Sequence, residues 1–538
     1  MKLIWAAYIV AVGCLGPAIA HADGLAAPAA AARVDTLLAG ELSDATPDKL
    51  TRASDADLLR RTSLDLIGRP ATSKQVLAFA EYPSPEKHAG VVDKLLASPD
   101  YGDNWANYWR DVILSRRTEP RAELVAGTLA GYLFESFNAD VGWNVVAKEM
   151  IEAKGSVREN GATALIMAHA GNAEEVAAEV SRIFLGVQIQ CAQCHDHPTD
   201  RWKRQQFHEL AAFFARVETR QRRDTDKRFD FIVIGRDRGP VYAPPTPNGK
   251  NRSLEHFMPD LADPQAKGTI VQPALFLTSQ RLDTGKTDAL RRNVLAEWST
   301  AEKNPWFAKA FVNRIWSELV GWGFYEPIDD LGPDRECRAP KTLDFLAAQF
   351  VKHDYSVKWL YRTIMATAMY QRAPGADGAS RIATSQPSRL RSDQLYDSLI
   401  AALGDNDLYF DLTPRRGPAA ALRGPRAIFA EEFGYDPSDP RDEQSGTIPQ
   451  TLMLMNAKAI QRSIDGATSQ TSLGKLLAAD LKDDQRITEL YLRCLGRAPT
   501  EQELKISEQH IASTGNRVEA YEDILWALVN STEMTLRR

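Results

Sequence analysis

Two thiols and an imidazole fall within five positions of a 538-residue chain, in Cys191-Ala192-Gln193-Cys194-His195, and the run continues as Asp196-His197-Pro198-Thr199-Asp200-Arg201-Trp202. Cysteines three apart project on roughly one face of a helical turn, so both thiols can add to the two vinyl groups of one haem. The adjacent His195 is then held under the iron as proximal ligand. His197 is too close to reach the opposite haem face, which leaves His169, His208, His256, Met167 or Met258 for the distal position, and the sequence does not choose among them. The same atoms suit zinc, because Cys191 and Cys194 with His195 or His197 and with His208 supply two sulfurs and two nitrogens. Asp196 and Asp200 would then orient the imidazoles or stand in as ligands, although the second ligand pair lacks the regular spacing of zinc modules. A third reading is a redox dithiol or structural disulfide, and a thioredoxin-like site would need a βαβ context that the pattern does not offer. The plainest reading is an inert helix with two buried thiols.

Helical periodicity surrounds this segment from about Val34 to Val217, with amphipathic stretches at Val91 to Ala97, Asn104 to Leu114 and Ala173 to Leu185. In the last, Val176, Val180, Ile183 and Phe184 share a face, and further on Pro198 should end the helix that bears the cysteines. Trp202 should turn inward to cover the edge of the site. Pro and Gly then accumulate, and the alternating run Phe229 to Ile234, followed by Gly239-Pro240-Val241-Tyr242-Ala243-Pro244, reads as β-structure bounded by turns. Gly268 to Leu277 reads as a further strand. Helical pattern returns from Asp288, as in Trp306 to Leu319 and Lys341 to Val351. A Pro/Gly/Arg-rich stretch interrupts it at Thr413 to Pro425, and a last helical block starts near Leu481.

Composition narrows the classes of function. Hydrophobic residues make up 44% and charged residues 25%, which fits globular domains and excludes wholesale disorder. Lys and Arg number 65 against 71 Asp and Glu, a net charge of -6, which argues against nucleic acid as a partner. Lys2, the apolar stretch Leu3 to Gly16, and the small-x-small sites Ala18-Ile19-Ala20 and Ala20-His21-Ala22 read as a signal peptide over residues 1–22. The lipobox-like Ala11-Val12-Gly13-Cys14 is a weaker match than those sites, so a soluble periplasmic or extracellular product is expected. No later run reaches the roughly 18 apolar residues of a membrane span. Removing the signal leaves Cys191, Cys194, Cys337 and Cys494, too few for a disulfide framework.

An internal repeat is independent of the cysteines. Leu64-Asp65-Leu66-Ile67-Gly68-Arg69-Pro70-Ala71-Thr72 matches Leu492-Arg493-Cys494-Leu495-Gly496-Arg497-Ala498-Pro499-Thr500. Each reads as a helix stopped by Gly, a Pro-fixed turn, and a Thr that caps a second helix. Each copy closes on a third helix, at Leu95-Leu96-Ala97-Ser98 and Leu528-Val529-Asn530-Ser531. The repeated unit is expected to be architectural.

The chain resembles a large family of exported bacterial proteins best known from planctomycetes, described as cytochrome c-like, that pair an N-terminal with a C-terminal domain of unknown function. The N-terminal resemblance lies in Arg60 to Gly68, Leu95 to Gly102, and most specifically Phe184-Leu185-Gly186-Val187-Gln188-Ile189-Gln190-Cys191-Ala192-Gln193-Cys194-His195-Asp196-His197-Pro198. The C-terminal resemblance lies in Asn304-Pro305-Trp306-Phe307, Val312 to Trp316, Gly446 to Gln450 and Ala527 to Glu533. It implies haem c at Cys191, Cys194 and His195. The separate N-terminal cytochrome domain of longer relatives has no counterpart here.

The expected architecture is mainly α: a helical domain over 34–220 carrying the cysteine motif, a small β-containing or irregular insert over 221–283, and a helical domain over 284–538. The expected function is an exported haem c protein with an electron-transfer or redox role and a periplasmic or surface redox partner. The alternative is a non-redox helical scaffold with structural zinc, acting at the cell surface or on polysaccharide. Trp105, Trp109, Trp306, Trp316 and Trp322 have the spacing of core residues. Arg216 to Arg223 reads as a solvated helix end, and Asp329-Asp330 beside Gly332-Pro333-Asp334 as a turn with exposed carboxylates. Under the haem reading His197 sits beside the site, so His197→Ala should leave haem attachment intact and shift its spectrum. Under the zinc reading His197 is a ligand, and the same substitution should sharply weaken zinc retention in a metal assay.

Overall fold

The computed structural model describes residues 24–42, 51–223, 229–244, 253–263, 265–373, 387–405, 408, 410, 424–440, 444 and 446–537. The expected signal peptide and most of the Thr413 to Pro425 stretch lie outside the described residues. The fold is mostly helical, with only small sheets.

Helix Pro99–Leu114 shows how the main core is built. Ser98 caps it by accepting from the Asp100 amide, Pro99 occupies the first turn where no amide partner is needed, and Trp105, Trp109, Val112 and Ile113 are buried. Trp109 stacks on Phe311 of helix Pro305–Val320 with ring centroids 5.6 Å apart, and Phe311 stacks in turn on Phe350 at 5.1 Å. This core takes in side chains from Ala27 to Tyr370, whereas a second gathers Leu64 with residues between Leu390 and Met534. The first helices of the C-terminal half therefore share a core with the N-terminal half. Trp105, Trp109, Trp316 and Trp322 are all buried, as their spacing implied.

Most of the β-structure falls between Val217 and Arg281, where the small β-containing insert was expected, and its details differ from the expected strands. Strand Phe229–Gly235 forms as expected, but it is the centre of a three-stranded antiparallel sheet between Gly155–Ser156 and Val217–Arg223. Arg216 to Arg223 is thus not a helix end. Its residues pair from Val217 opposite Gly235 to Arg223 opposite Phe229, and Arg222 donates 2.9 Å to the buried Asp230. The strand expected over Gly268 to Leu277 is split into Thr269–Ile270, paired with Phe257–Met258, and Ala274–Leu275, paired with Gln280–Arg281. Pro273 lies between the two pieces and offers no amide for a continuous ladder.

The repeat is realised in detail. Helix Asp55–Ile67 ends at Gly68 with φ 71°, and helix Asp483–Leu495 ends at Gly496 with φ 70°, the left-handed conformation that glycine adopts without a Cβ clash. Thr72 and Thr500 then cap helices Ser73–Glu81 and Glu501–Thr514, each in a reciprocal box with Gln75 or Glu503. Even the ion pairs repeat, because Arg69 pairs with Asp100 and Arg497 with Glu533, each acid two residues past the closing serine. The two units also touch: Leu492 packs with Leu59, Ala71, Val76 and Phe79.

A buried clamp joins the chain's far end to the first unit. Asp65 accepts from Arg537 Nε at 2.5 Å, from Arg537 Nη2 at 2.8 Å and from the Tyr370 hydroxyl at 2.8 Å. Arg537 also donates to the Leu319 carbonyl, and Arg60 donates to the Glu533 carbonyl at 3.0 Å. Asp65→Ala strands the Arg537 guanidinium in the interior, and the expected loss is about 3–5 kcal/mol in a denaturant titration. Arg69→Ala breaks a half-exposed pair and should cost below about 1 kcal/mol in the same experiment.

Candidate functional site

The segment bearing the cysteines is set by what precedes it. Asn172 caps helix Ala173–Val180 by accepting from the Glu174 and Glu175 amides, and the helix widens into a π-helical turn, Ser181–Leu185, that Gly186 ends at φ 65°. A Cβ at Gly186 would stand 2.9 Å from Ala310 Cβ and from Leu331 Cδ1, so glycine permits both the turn and the close approach. The π turn aims Arg182 inward. Its guanidinium meets Glu179 at 2.5 Å, Asp329 at 3.2 Å, the Ser438 hydroxyl at 2.6 Å and the Val112 carbonyl at 2.8 Å. Asp329 also accepts from Gln188 at 2.5 Å, three residues before the first cysteine.

The cysteines then lie on a single 3₁₀ turn, Ile189–Gln193, with Cys194 at its end. Three residues per turn place positions 191 and 194 above one another. Ile189 and Ala192 are buried and anchor the turn, while Cys191 and Cys194 are exposed free thiols. This differs from the inert expectation of two buried thiols. The exposed His195 ring contacts the Asp196 carbonyl oxygen through Nδ1 at 2.7 Å. A carbonyl only accepts, so Nδ1 carries the proton in this bond and the Nε2 lone pair is left for a metal.

The following loop is locked mainly by its backbone. Asp196 accepts from Lys203 Nζ at 2.9 Å and from the Arg204 amide at 3.0 Å, and these bonds hold its carboxyl below the usual range. The His197 amide donates to the Trp202 carbonyl at 2.8 Å, and the His197 ring accepts from the Thr199 amide at 3.4 Å. The helical turn consequently ends at Gln193 and not, as expected, at Pro198, because Asp196 and His197 are already bonded across a loop. Asp200 accepts from the Arg201 amide at 2.7 Å and leans against Gly332, where a Cβ would collide with its carboxylate. Trp202 turns inward as expected, with its ring centroid 4.9 Å from that of Phe276 and 6.1 Å from that of the half-buried Trp306.

His208 is placed beneath the turn rather than beside the thiols. Its Nε2 donates to the Gln193 carbonyl at 3.0 Å, which leaves Nδ1 to accept from His256 Nε2 at 2.9 Å. His256 Nδ1 is buried 3.8 Å from Glu174. With both nitrogens of His208 engaged, the sequence-derived set Cys191, Cys194, His197 and His208 is not gathered. Among the described residues no group of three or more His, Cys, Asp or Glu is assembled for a metal ion.

Two features escaped sequence reasoning. Asp329 and Asp330 are buried, not exposed as expected, Asp329 against Arg182 and Arg314 and Asp330 against Arg335 at 2.7 Å. The bonded series His256, His208, Gln193 joins three segments far apart in sequence, so no local spacing could signal it.

Residues 33–219 match the family model PSCyt2, a protein of unknown function (DUF1549), and residues 291–421 match PSD1, a protein of unknown function (DUF1553). The chain therefore carries the pairing of two domains of unknown function that its motifs implied, with the cysteine turn inside the first. No curated protein and no solved structure matches it.

Burial lowers His88, His208 and His256 to about 4 each. Above the ordinary imidazole value of about 6.5 these rings are neutral in both the folded and the unfolded chain. As pH falls below that value the unfolded chain takes up protons that the folded chain refuses until about pH 4, so stability should drop across this window. Denaturant midpoints measured against pH should show the drop, and His256→Leu should make it shallower.

Proposed function

We propose that the protein is an exported haem c protein with an electron-transfer or related redox role, attached through Cys191 and Cys194 with His195 as proximal ligand. One observation carries the reading: two exposed thiols stacked on one 3₁₀ turn stand next to an exposed imidazole whose backbone bond leaves Nε2 as the coordinating atom. The donor set fits haem c, because both thiols are open to the two vinyl groups and the ring adjoining them is in the ligating tautomer. When bound, the haem supplies one-electron exchange. The chain's own residues do the rest: Ile189 and Ala192 hold the turn to the core, and Asp196 keeps the His195 ring oriented through its carbonyl.

The resemblance to cytochrome c-like planctomycete proteins and the signal-like residues 1–22 support the same reading, since this attachment takes place outside the bacterial cytoplasm. A redox protein of the periplasm or cell surface would be the partner. For the zinc alternative, the second pair of ligands is not gathered at the turn.

The test is a pyridine haemochrome spectrum and intact mass of protein produced with haem-attachment machinery. One covalent haem per chain is expected, with Cys191→Ala and Cys194→Ala each leaving a single thioether or none. Colourless protein holding stoichiometric zinc would overturn the proposal.

A further inference from the structure

Beneath the cysteine turn, the geometry points to a proton relay of Glu174, His256 and His208, in which Glu174 rests as a neutral acid and supplies the proton. Its coupling to an iron at His195 rests on the haem reading; the relay itself does not.

Hydrogen-bond direction fixes the tautomers one after another. The Gln193 carbonyl only accepts, so His208 Nε2, 3.0 Å away, carries a proton. In a neutral ring His208 Nδ1 is then a lone pair, and His256 Nε2 donates to it at 2.9 Å. The two ring planes are 24° apart with centroids at 5.2 Å, so this bond runs nearly head-on. His256 Nδ1 is left as a second lone pair. It is closed to solvent, has no hydrogen-bond partner among the described residues, and faces Glu174 Oε1 at 3.8 Å. Two acceptors thus confront one another in the interior. A hydroxyl on Glu174 is the donor that satisfies the nitrogen, after a shift of about 1 Å in a side chain that is partly exposed.

The surroundings favour the same placement of the proton. Burial raises the Glu174 carboxyl and lowers both imidazoles to about 4. Arg204 on the helix of His208, and Arg291 on helix Asp288–Thr300, oppose a cation on the two rings, while Glu175 opposes a second carboxylate beside it. The other acids nearby are engaged: Glu255 with Arg291 at 2.5 Å, Glu209 with Arg281 at 2.8 Å, and Glu175 with Thr118.

Transfer breaks the Glu174 O–H bond and forms His256 Nδ1–H; it breaks His256 Nε2–H and forms His208 Nδ1–H. His256 ends neutral in its other tautomer, His208 as an imidazolium and Glu174 as a carboxylate, which takes a proton back from solvent at its partly exposed end. At most about 8 Å of backbone separates Gln193 from His195. A proton drawn to His208 therefore offsets the charge of an electron delivered to the iron by the redox partner, through an interior that screens weakly.

The first measurement uses the full chain without cofactor. The infrared difference between wild type and Glu174→Gln at about pH 6, where an ordinary glutamate is ionised, is expected to show the carbonyl stretch of a protonated carboxyl; carboxylate bands in its place overturn the relay. The amide of this variant still donates to His256 Nδ1 but releases no proton, so packing is kept and transfer alone is lost. The second measurement uses the haem-loaded chain, with haem content fixed by pyridine haemochrome. The wild-type midpoint potential should fall as pH rises, by up to about 59 mV per tenfold change in proton concentration. That slope should flatten in Glu174→Gln and persist in Glu175→Gln. A flat wild-type slope, a slope unchanged in Glu174→Gln, or one lost equally in both variants overturns the coupling and leaves the haem reading standing. Wild type that attaches no haem overturns the haem reading, and the infrared result still decides the relay.

Discussion

A guanidinium buried in the interior is the constraint from which the site follows. Arg182 cannot leave its charge unpaired in a low-dielectric core, and its carboxylate partners are Glu179 on its own helix and Asp329 from the C-terminal half. Satisfying it draws the loop around Asp329 against the π turn, and Gln188 then bonds that same carboxylate. Arg314 and Ser438 complete the cluster, so the position of the cysteine turn depends on elements more than a hundred residues away. Removing Arg182 would leave the buried Glu179 without its guanidinium, and because Asp329 pairs with both Arg182 and Arg314 the two halves pack as one body.

The repeat and the clamp serve the same end at the other side of the molecule. Each Gly-Arg-Pro-Thr unit turns the chain sharply, since a left-handed glycine and a capped threonine together fix where one helix stops and the next starts. Two such units placed against one another bring residue 60 beside residue 533 and residue 65 beside residue 537. The second core is thereby closed onto the first through Leu64, which belongs to it although it comes from the N-terminal half.

The site itself is asymmetric in its demands. One side is rigid: buried Ile189 and Ala192, the His208 bond to Gln193, and the Trp202 plug leave the turn little freedom. The other side, with the exposed thiols and the exposed His195 ring, is open. Both thiols and the imidazole are thus accessible while the turn that carries them is held still.

By itself the sequence determined what local chemistry dictates. Periodicity marked the helices, glycine and threonine marked both repeated turns, and the three-residue spacing of Cys191 and Cys194 put both on one turn beside His195. Pro198 misled, because a loop closed by Asp196 and His197 had already ended the helical turn, and Arg216 to Arg223 misled because its partner strand, not its charge, decided its conformation. Asp329 and Asp330 looked like solvent residues, since a carboxylate's burial depends on whether an arginine waits in the interior, and no spacing records that. His169 and His256 look no different in sequence from the exposed His195; only tertiary structure, by burying them, sets them apart. Long-range pairing is decided by which surfaces the chain brings together, and a linear pattern carries no measure of that distance.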